Sequence, residues 1–210
     1  MIVALDGERL AGPFAADATL QALVDQVREQ HLGDRLVVSV AIDGQVLTDQ
    51  DLVERLPRAV GSVGQVDLTS ADRRQLASDT LREVADRLGA AAGEQVAAAD
   101  KLQAGRAAEA ISSFSGFLEI WRTCQRAIVD CSGVLGEDLT ALPCKGQRIR
   151  EHLDGLVDKL RELREAFESR DAVLLADLFR YEVPATCRLW QGILHELAES
   201  VAGRVPSAGS

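Results

Sequence analysis

The chain has 210 residues, of which 47% are hydrophobic, 27% charged and 4% aromatic, and its formal net charge is −10 at pH 7. This is a globular composition, and its acidity argues against binding nucleic acid or an anionic membrane through clustered cations. No signal-peptide pattern opens the sequence and no apolar run approaches the ~18 residues that span a bilayer, so we expect a cytoplasmic protein without membrane or nucleic-acid contacts.

Residues 1–70 alternate between apolar and polar in the manner of strands and carry clear turn signals. Two Asp-Gly dipeptides, Asp6-Gly7 and Asp43-Gly44, each predict a tight hairpin. Between the hairpins lies an amphipathic helix that Asp17 or Thr19 can cap. The predicted strands are about residues 2–5, 8–12, 35–42, 46–47 and 65–68, and Thr48-Asp49-Gln50-Asp51 opens a short second helix.

This ββαββαβ order resembles the β-grasp fold of ubiquitin-like proteins, so we expect a β-grasp domain over residues 1–70. Sulfur carriers and conjugated modifiers of that fold end in a free Gly-Gly tail. Here the last strand runs into Thr69-Ser70-Ala71-Asp72 and then into a helix, so no free carboxylate exists at that point and we do not expect a carrier. Element order predicts fold rather than activity.

From Ser70 onward the apolar spacing becomes helical and predicts an antiparallel four-helix bundle over residues 71–203, with a flexible tail at 204–210. Ser70 or Ser78 can cap the first helix, which runs toward Leu102. The other helices are about residues 107–132, 149–167 and 172–202, and Gly133 to Gly146 is a predicted loop.

Two of these helices have distinctive apolar faces. The second has a face wide enough to contact two other helices, with Phe114, Phe117, Trp121, Cys124, Ile128 and Cys131 among its members. The third carries a heptad seam with steps of 4, 3, 4, 3 and 4, formed by Ile149, Leu153, Leu156, Leu160, Leu163 and Phe167.

We find no catalytic, cofactor or metal motif. The four cysteines lack CxxC spacing, and Cys124 and Cys131 lie seven residues apart on one helical face, where a thiol acts as a small hydrophobe. The three histidines have no companion motif, and a zinc site would need ligand pairs that the sequence does not show. We therefore expect a non-enzymatic protein without cofactor or metal.

The fourth helix contains the two most unusual residues of the chain, Glu182 and Pro184. On a regular wheel of 100° per residue, Pro184 falls on the wet face, where a proline bends a helix convex toward solvent. Glu182 falls near the centre of the apolar arc, where an unpaired carboxylate would cost several kcal/mol.

Three interpretations of Glu182 remain open at this point. It pairs with an arginine or polar group of another helix or of the β-grasp domain, it faces a groove for a partner, or it is a catalytic or ligand-binding acid. We take Tyr181, Glu182, Trp190 and Trp121 as the candidate partner-binding residues.

The stretch from Lys101 to Ile111, followed by a bundle and the late Trp190, resembles bacterial flagellar export chaperones of the FliS type, which hold the disordered tail of a secreted subunit. The whole layout, with its "LLADL…YE" segment, also resembles uncharacterised bacterial proteins that begin with a β-grasp domain. The expected function is therefore protein–protein interaction, as an adaptor or a flagellar or secretion chaperone. The alternatives are a small-molecule-binding or enzymatic bundle that uses Glu182, and a purely structural homo-oligomer.

Overall fold

The computed structural model shows an α+β protein with a mixed five-stranded sheet near its N-terminus followed by several helices. It describes residues 1–15, 17–169 and 171–203, with the side chains of residues 107, 108, 111, 113 and 172 left out. The chain divides into two compact units, Met1–Leu76 and Ala77–Ser210. The predicted flexible tail at 204–210 lies outside the described residues.

The first unit contains the sheet, and its elements follow the predicted order. The sheet order is β2-β1-β5-β3-β4, with β1 parallel to β5 and the other pairs antiparallel. The elements are β1 (Ile2–Leu5), β2 (Glu8–Arg9), α1 (Leu20–Val27), a π turn (Arg28–Leu32), β3 (Arg35–Ile42), β4 (Gln45–Val46), α2 (Asp49–Arg55) and β5 (Gln65–Asp72).

Both Asp-Gly dipeptides form the predicted hairpin turns. Asp6 and Gly7 have φ of 51° and 84°, and Asp43 and Gly44 have φ of 49° and 83°. Two successive positive φ angles are typical of the hairpin turn whose twist matches that of the flanking strands, and Asp and Gly tolerate them best. The turns therefore set the register of both hairpins locally.

The core of this unit lies between one face of the sheet and α1. Thr19, one of the two predicted caps, accepts a hydrogen bond from the Ala22 N–H and begins the helix. The buried side chains come from α1, β1, β3, β5 and the segment before β5: Leu20, Leu23, Val27, Val3, Val40, Val66, Leu68 and Val60.

Strand β5 extends to Asp72, four residues beyond the predicted end, because Ser70 and Asp72 pair with β3. Ser70 also joins a polar network. Its N–H and Oγ donate to the carboxylate of Asp6 at 2.7 and 2.6 Å, while Arg35 Nε donates to Ser70 Oγ at 2.7 Å. These hydrogen bonds lower the pKa of Asp6, with a smaller contribution from Arg35.

The second unit is helical. Its elements are the greater part of α3 (Arg73–Gln103), α4 (Ala107–Leu135), a 3-10 turn (Leu139–Ala141), a short hairpin of β6 (Pro143–Cys144) and β7 (Gln147–Arg148), α5 (Ile149–Glu168), α6 (Ala172–Asp177), a second π turn (Leu178–Glu182) and α7 (Val183–Gly203). None of the described helices is both long enough and apolar enough to cross a membrane.

Two predicted boundaries in the helical sequence are wrong. The carboxylate of Asp72 accepts from the Arg74 and Gln75 N–H groups at 2.9 Å and caps α3, whereas Ser70 lies in β5 and Ser78 inside the helix. The predicted loop from Gly133 onward contains the last turn of α4, which ends at Leu135 and is capped by Gly136 with φ of 67°. The β6–β7 hairpin was also missed, because it turns on Lys145-Gly146 rather than on a usual turn dipeptide.

The wide apolar face of α4 is the centre of the helical core, as predicted. Its aromatic rings contact one another and rings of α5 and α7. Phe114 lies 5.2 Å from both Phe167 and Phe179, and Trp121 meets Trp190 edge to face at 5.4 Å between ring centroids. Such pairs add to the stabilisation that their burial already provides.

We expect the Asp6 network to make the stability of the first unit depend on pH. The folded-state pKa of Asp6 lies below its ordinary value, so the network stabilises above pH ~4 and loses this contribution as pH falls through the folded pKa. Asp6→Asn should cost about 1 kcal/mol at pH 7, because water screens a carboxylate that is 39% exposed, and much less once the pH has fallen below the lowered folded-state pKa of Asp6. NMR of the Val66 and Leu68 methyl groups during urea unfolding measures this difference.

Asp34→Asn is the control for that measurement, because Asp34 is exposed and lies outside the network. A cost of Asp6→Asn that stays constant from pH 7 to pH 3 would show that the carboxylate charge does not contribute.

Candidate functional site

The four candidate residues do not lie together at the surface. Trp121 and Trp190 are each 2% exposed and pack against each other, so both belong to the core. Tyr181 is 64% exposed and the side chain of Glu182 is 52% exposed. The placement of Glu182 in the apolar stripe is therefore wrong, and so is the placement of Pro184 on the wet face, because Pro184 is buried.

The π turn explains both errors. The Val183 N–H donates to the carbonyl of Leu178, five residues back instead of four, so the turn holds one extra residue. Pro184 follows immediately and has no N–H to donate to Arg180, which disfavours a regular α-helical turn here. Every residue after the turn therefore lags by about 100° relative to an uninterrupted helix.

This rotation changes which face of α7 is buried. It brings Val183, Cys187, Trp190 and Leu194 into the core. It carries Leu189, which the regular wheel places in the apolar arc, to the surface with 44% exposure. Glu182 leaves the apolar stripe by the same rotation.

Glu182 pairs with a lysine of α5. Lys159 Nζ lies 3.0 Å from Glu182 Oε2 and 3.2 Å from Glu162 Oε2, and these two hydrogen bonds raise the pKa of Lys159. The side chain of Lys159 is 43% exposed, so water screens both pairs and each contributes only modestly to stability. The pair lies across the groove between α5 and α7.

A small recess lies beside the Lys159–Glu182 pair and is walled by Phe117, Leu156, Leu160, Leu163, Leu178, Val183 and Thr186. Its volume is about 10 Å³, which is room for about one water molecule. This small recess therefore has no room for an organic substrate.

A larger recess of about 260 Å³ continues the groove along α5 and α7. It shares Leu156, Lys159 and Thr186 with the small one, and its other walls are Gln147, Glu151, His152, Gly155, Leu189 and Trp190. Gly155 adds no side chain to the α5 wall, and a Cβ built there would meet nothing within 4 Å. We call this space the α5–α7 recess.

His152 is held in place at the edge of the recess. Its Nε2 lies 3.1 Å from the carbonyl oxygen of Cys144, and because a carbonyl only accepts, Nε2 carries the hydrogen. The ring also meets Trp190 edge to face at 6.3 Å. His152 thereby ties the β6–β7 hairpin to the wall of the recess.

The thiols do not provide a nucleophile. All four cysteines are buried and free, and burial raises the pKa of Cys124 and Cys187 to about 12 and that of Cys131 and Cys144 to about 11. Within the described part of the chain, no group of three or more His, Cys, Asp or Glu side chains is arranged to hold a metal ion.

Comparison with protein families assigns the helical part of the chain. The model of the Domain of unknown function (DUF8042) family matches residues 79–193, which is more than half of the chain. The chain belongs to this family. No curated protein and no solved structure matches it. The DUF8042 match begins in α3 and ends in α7, so it contains Lys159, Glu182 and the whole α5–α7 recess.

Glu182 and Trp190 stand out in the sequence, but the other residues of the groove do not. Lys159 is a single cation between the seam residues Leu156 and Leu160, and Gly155 is an isolated glycine in a helical pattern. Each is a detectable signal, but neither shows which helix lies opposite. The α5–α7 recess becomes visible only once the helices are packed against one another.

The cost in unfolding free energy should be small for a substitution at Glu182 and large for one at Trp190. Glu182→Ala should change the free energy of unfolding by less than about 1 kcal/mol, because the ion pair is screened. Trp190→Ala should cost about 3–5 kcal/mol, because it leaves a cavity beside Trp121. Urea unfolding followed by far-UV circular dichroism measures both, and equal costs would contradict the assignment.

The π turn should tolerate the loss of its extra residue. Deletion of Tyr181 combined with Pro184→Ala should allow a regular helix that keeps the same buried face, with little loss of helical signal. Deletion of the exposed Arg188 is the control. Deleting Arg188 rotates the helix after it by about 100° relative to the helix before it. Either Val183 and Cys187 or Trp190 and Ile193 must then turn away from the core, which should cost several kcal/mol of unfolding free energy.

Thermal unfolding of the two deletion variants by circular dichroism checks this expectation. If the Tyr181 deletion destabilises the protein as much as the Arg188 deletion, the extra residue does not act as a register shift.

Proposed function

We propose that the chain is a non-enzymatic protein-binding protein, in which a β-grasp domain precedes an antiparallel four-helix bundle and the α5–α7 recess receives a side chain of the partner. The sheet order β2-β1-β5-β3-β4, with α1 packed on one face, supports the β-grasp part. The single core that α3, α4, α5 and α6–α7 share supports the bundle.

The observation that carries the proposal is the open recess over Trp190, with Leu189 44% exposed at its edge. Its volume of about 260 Å³ is below the usual ~300–1,000 Å³ of small-molecule sites, so it suits one large side chain better than a whole metabolite. An apolar floor with a polar rim of Glu151, Lys159 and Thr186 is also the usual anatomy of a side-chain pocket in a protein interface.

The charges at the groove favour a partner with a basic residue beside its apolar anchor. Glu151 lines the recess, and Glu162 and Glu182 both contact Lys159, so three carboxylates and one lysine lie along the groove. A lysine or arginine of the partner would complement this excess of negative charge and disfavour acidic competitors.

An adaptor or a secretion chaperone of the FliS type is the concrete form of this proposal, since a groove that takes one anchor side chain suits an extended or disordered segment of another protein. An enzymatic or small-molecule role for Glu182 has less support, because the space beside it is about 10 Å³ and the thiols have raised pKa values.

Photo-crosslinking tests the proposal. A photoreactive amino acid at position 189, in protein expressed in its native host, should give a covalent adduct with another protein. The same amino acid at Val129, which is 65% exposed on α4, is the control and should not give that adduct. Equal adducts from both positions, or none from position 189, would contradict the proposal.

Filling the recess should abolish the adduct without harming the fold. Gly155→Leu places a side chain in free space and should increase helix stability by about 0.5–1 kcal/mol while reducing the adduct at least tenfold. Gly116→Leu, at an exposed glycine of α4 that also has nothing within 4 Å, is the matched control and should leave the adduct unchanged.

A further inference from the structure

Helix α5 presents an apolar stripe to solvent, away from the α5–α7 recess. The stripe follows steps of four and three residues and consists of Leu153, Val157 and Leu160, and Arg164 extends the same row. Val157 is 46% exposed, and Leu153 and Leu160 are only half-buried although they belong to the heptad seam. Val157, Leu160, Arg161 and Arg164 form a shallow depression of about 350 Å³ along this row.

The helices of one chain cover only part of the heptad seam of α5. Ile149, Leu156 and Leu163 are 0–4% exposed inside the helical unit, while Leu153 and Leu160 lie toward its edge. The seam therefore has an apolar edge that no helix of the same chain covers fully. Steps of four and three residues are the spacing at which one helix packs along another.

The charges beside the stripe alternate in blocks along α5. In chain order they are basic Arg150, acidic Asp154 and Asp158, basic Arg161 and Arg164, and acidic Glu165 and Glu168. All seven side chains are exposed. A parallel copy in register would place like charges against like. An antiparallel copy centred near Val157 and Asp158 places Arg150 opposite Glu165 and Glu168, and Asp154 opposite Arg161 and Arg164.

We propose that a second copy of this chain covers the stripe, with the two α5 helices antiparallel. Val157 of each copy packs beside Leu160 of the other, and the charged blocks on either side pair across the interface. This interaction is independent of the partner proposed for the recess.

The ion pairs that α5 makes within one chain do not oppose this arrangement. Arg150 lies 3.2 Å from Asp138, and since both side chains are more than half exposed, Arg150 can exchange this pair for Glu165 of the other copy. Arg161 lies 2.8 Å from Asp158, and Arg164 lies 3.6 Å from Glu168. Both are exposed pairs along one helix, which contribute little and rearrange easily. Asp158 lies near the two-fold axis and keeps its own Arg161, whereas Arg164 exchanges Glu168 for Asp154 of the other copy.

A single stripe about four residues long buries less area than a standard stable interface, so we expect a dimer that dissociates on dilution. In sedimentation equilibrium the mass should rise from 22.6 kDa toward twice that value as concentration increases through the micromolar range and above. A protein that remains monomeric at millimolar concentration would overturn the proposal.

Charge reversal tests the orientation of the helices. Asp154→Arg alone, or Arg164→Asp alone, places like charges opposite each other twice in an antiparallel dimer and should raise Kd about tenfold. The double variant, and an equimolar mixture of the two single variants, should restore dimerisation, because each again has opposite charges in register. Single variants that dimerise as well as the original chain would overturn the antiparallel arrangement.

An apolar substitution tests the location of the interface. Val157→Asp should abolish dimerisation, whereas Val129→Asp, at the exposed valine of α4, should leave Kd unchanged. Far-UV circular dichroism and the fluorescence of Trp121 and Trp190 verify that the variants are folded. A dimer unaffected by Val157→Asp would lie elsewhere and would overturn the proposal.

Discussion

The extra residue in the turn from Leu178 to Glu182 determines which face of the last helix packs into the core, and much of the helical unit depends on it. With that residue in place, Trp190 meets Trp121 and Ile193 is fully buried. The same rotation places Glu182 at the surface opposite Lys159 and leaves Leu189 beside the α5–α7 recess. One widened turn therefore decides both the core contacts and the composition of the groove.

Features specified within a few residues could be predicted from the sequence. The Asp-Gly turns, the Thr19 cap and the capping box between Thr48 and Asp51 depend on local backbone chemistry, and each is present. The wide face of α4 was also predictable, because burial repeats with the period of the helix. The seam of α5 was predictable in position but not in burial, since neighbouring helices cover only part of it.

The candidate site was much less predictable, because it depends on helix register and on contacts between distant residues. A regular wheel assumes 3.6 residues per turn throughout, and the π turn breaks that assumption. The sequence contains a trace of the break. Leu175, Phe179, Val183 and Cys187 follow one another at three consecutive steps of four, which a regular seam does not sustain. Pro184 next to this run was the second signal, and an outward bend was the wrong interpretation of it.

The geometry of α5 makes the two proposed contacts compatible. Gly155 and Lys159, which line the recess, lie about 160–200° around the helix from Val157, at the centre of the stripe. A dimer formed through the stripe therefore leaves both recesses open, one on each copy. Two such recesses on one particle would bind a partner that carries two anchor segments more tightly than either recess alone, because the second contact is then intramolecular. Weak self-association through α5 would in this way strengthen a weak single-anchor contact without adding any residue to the recess.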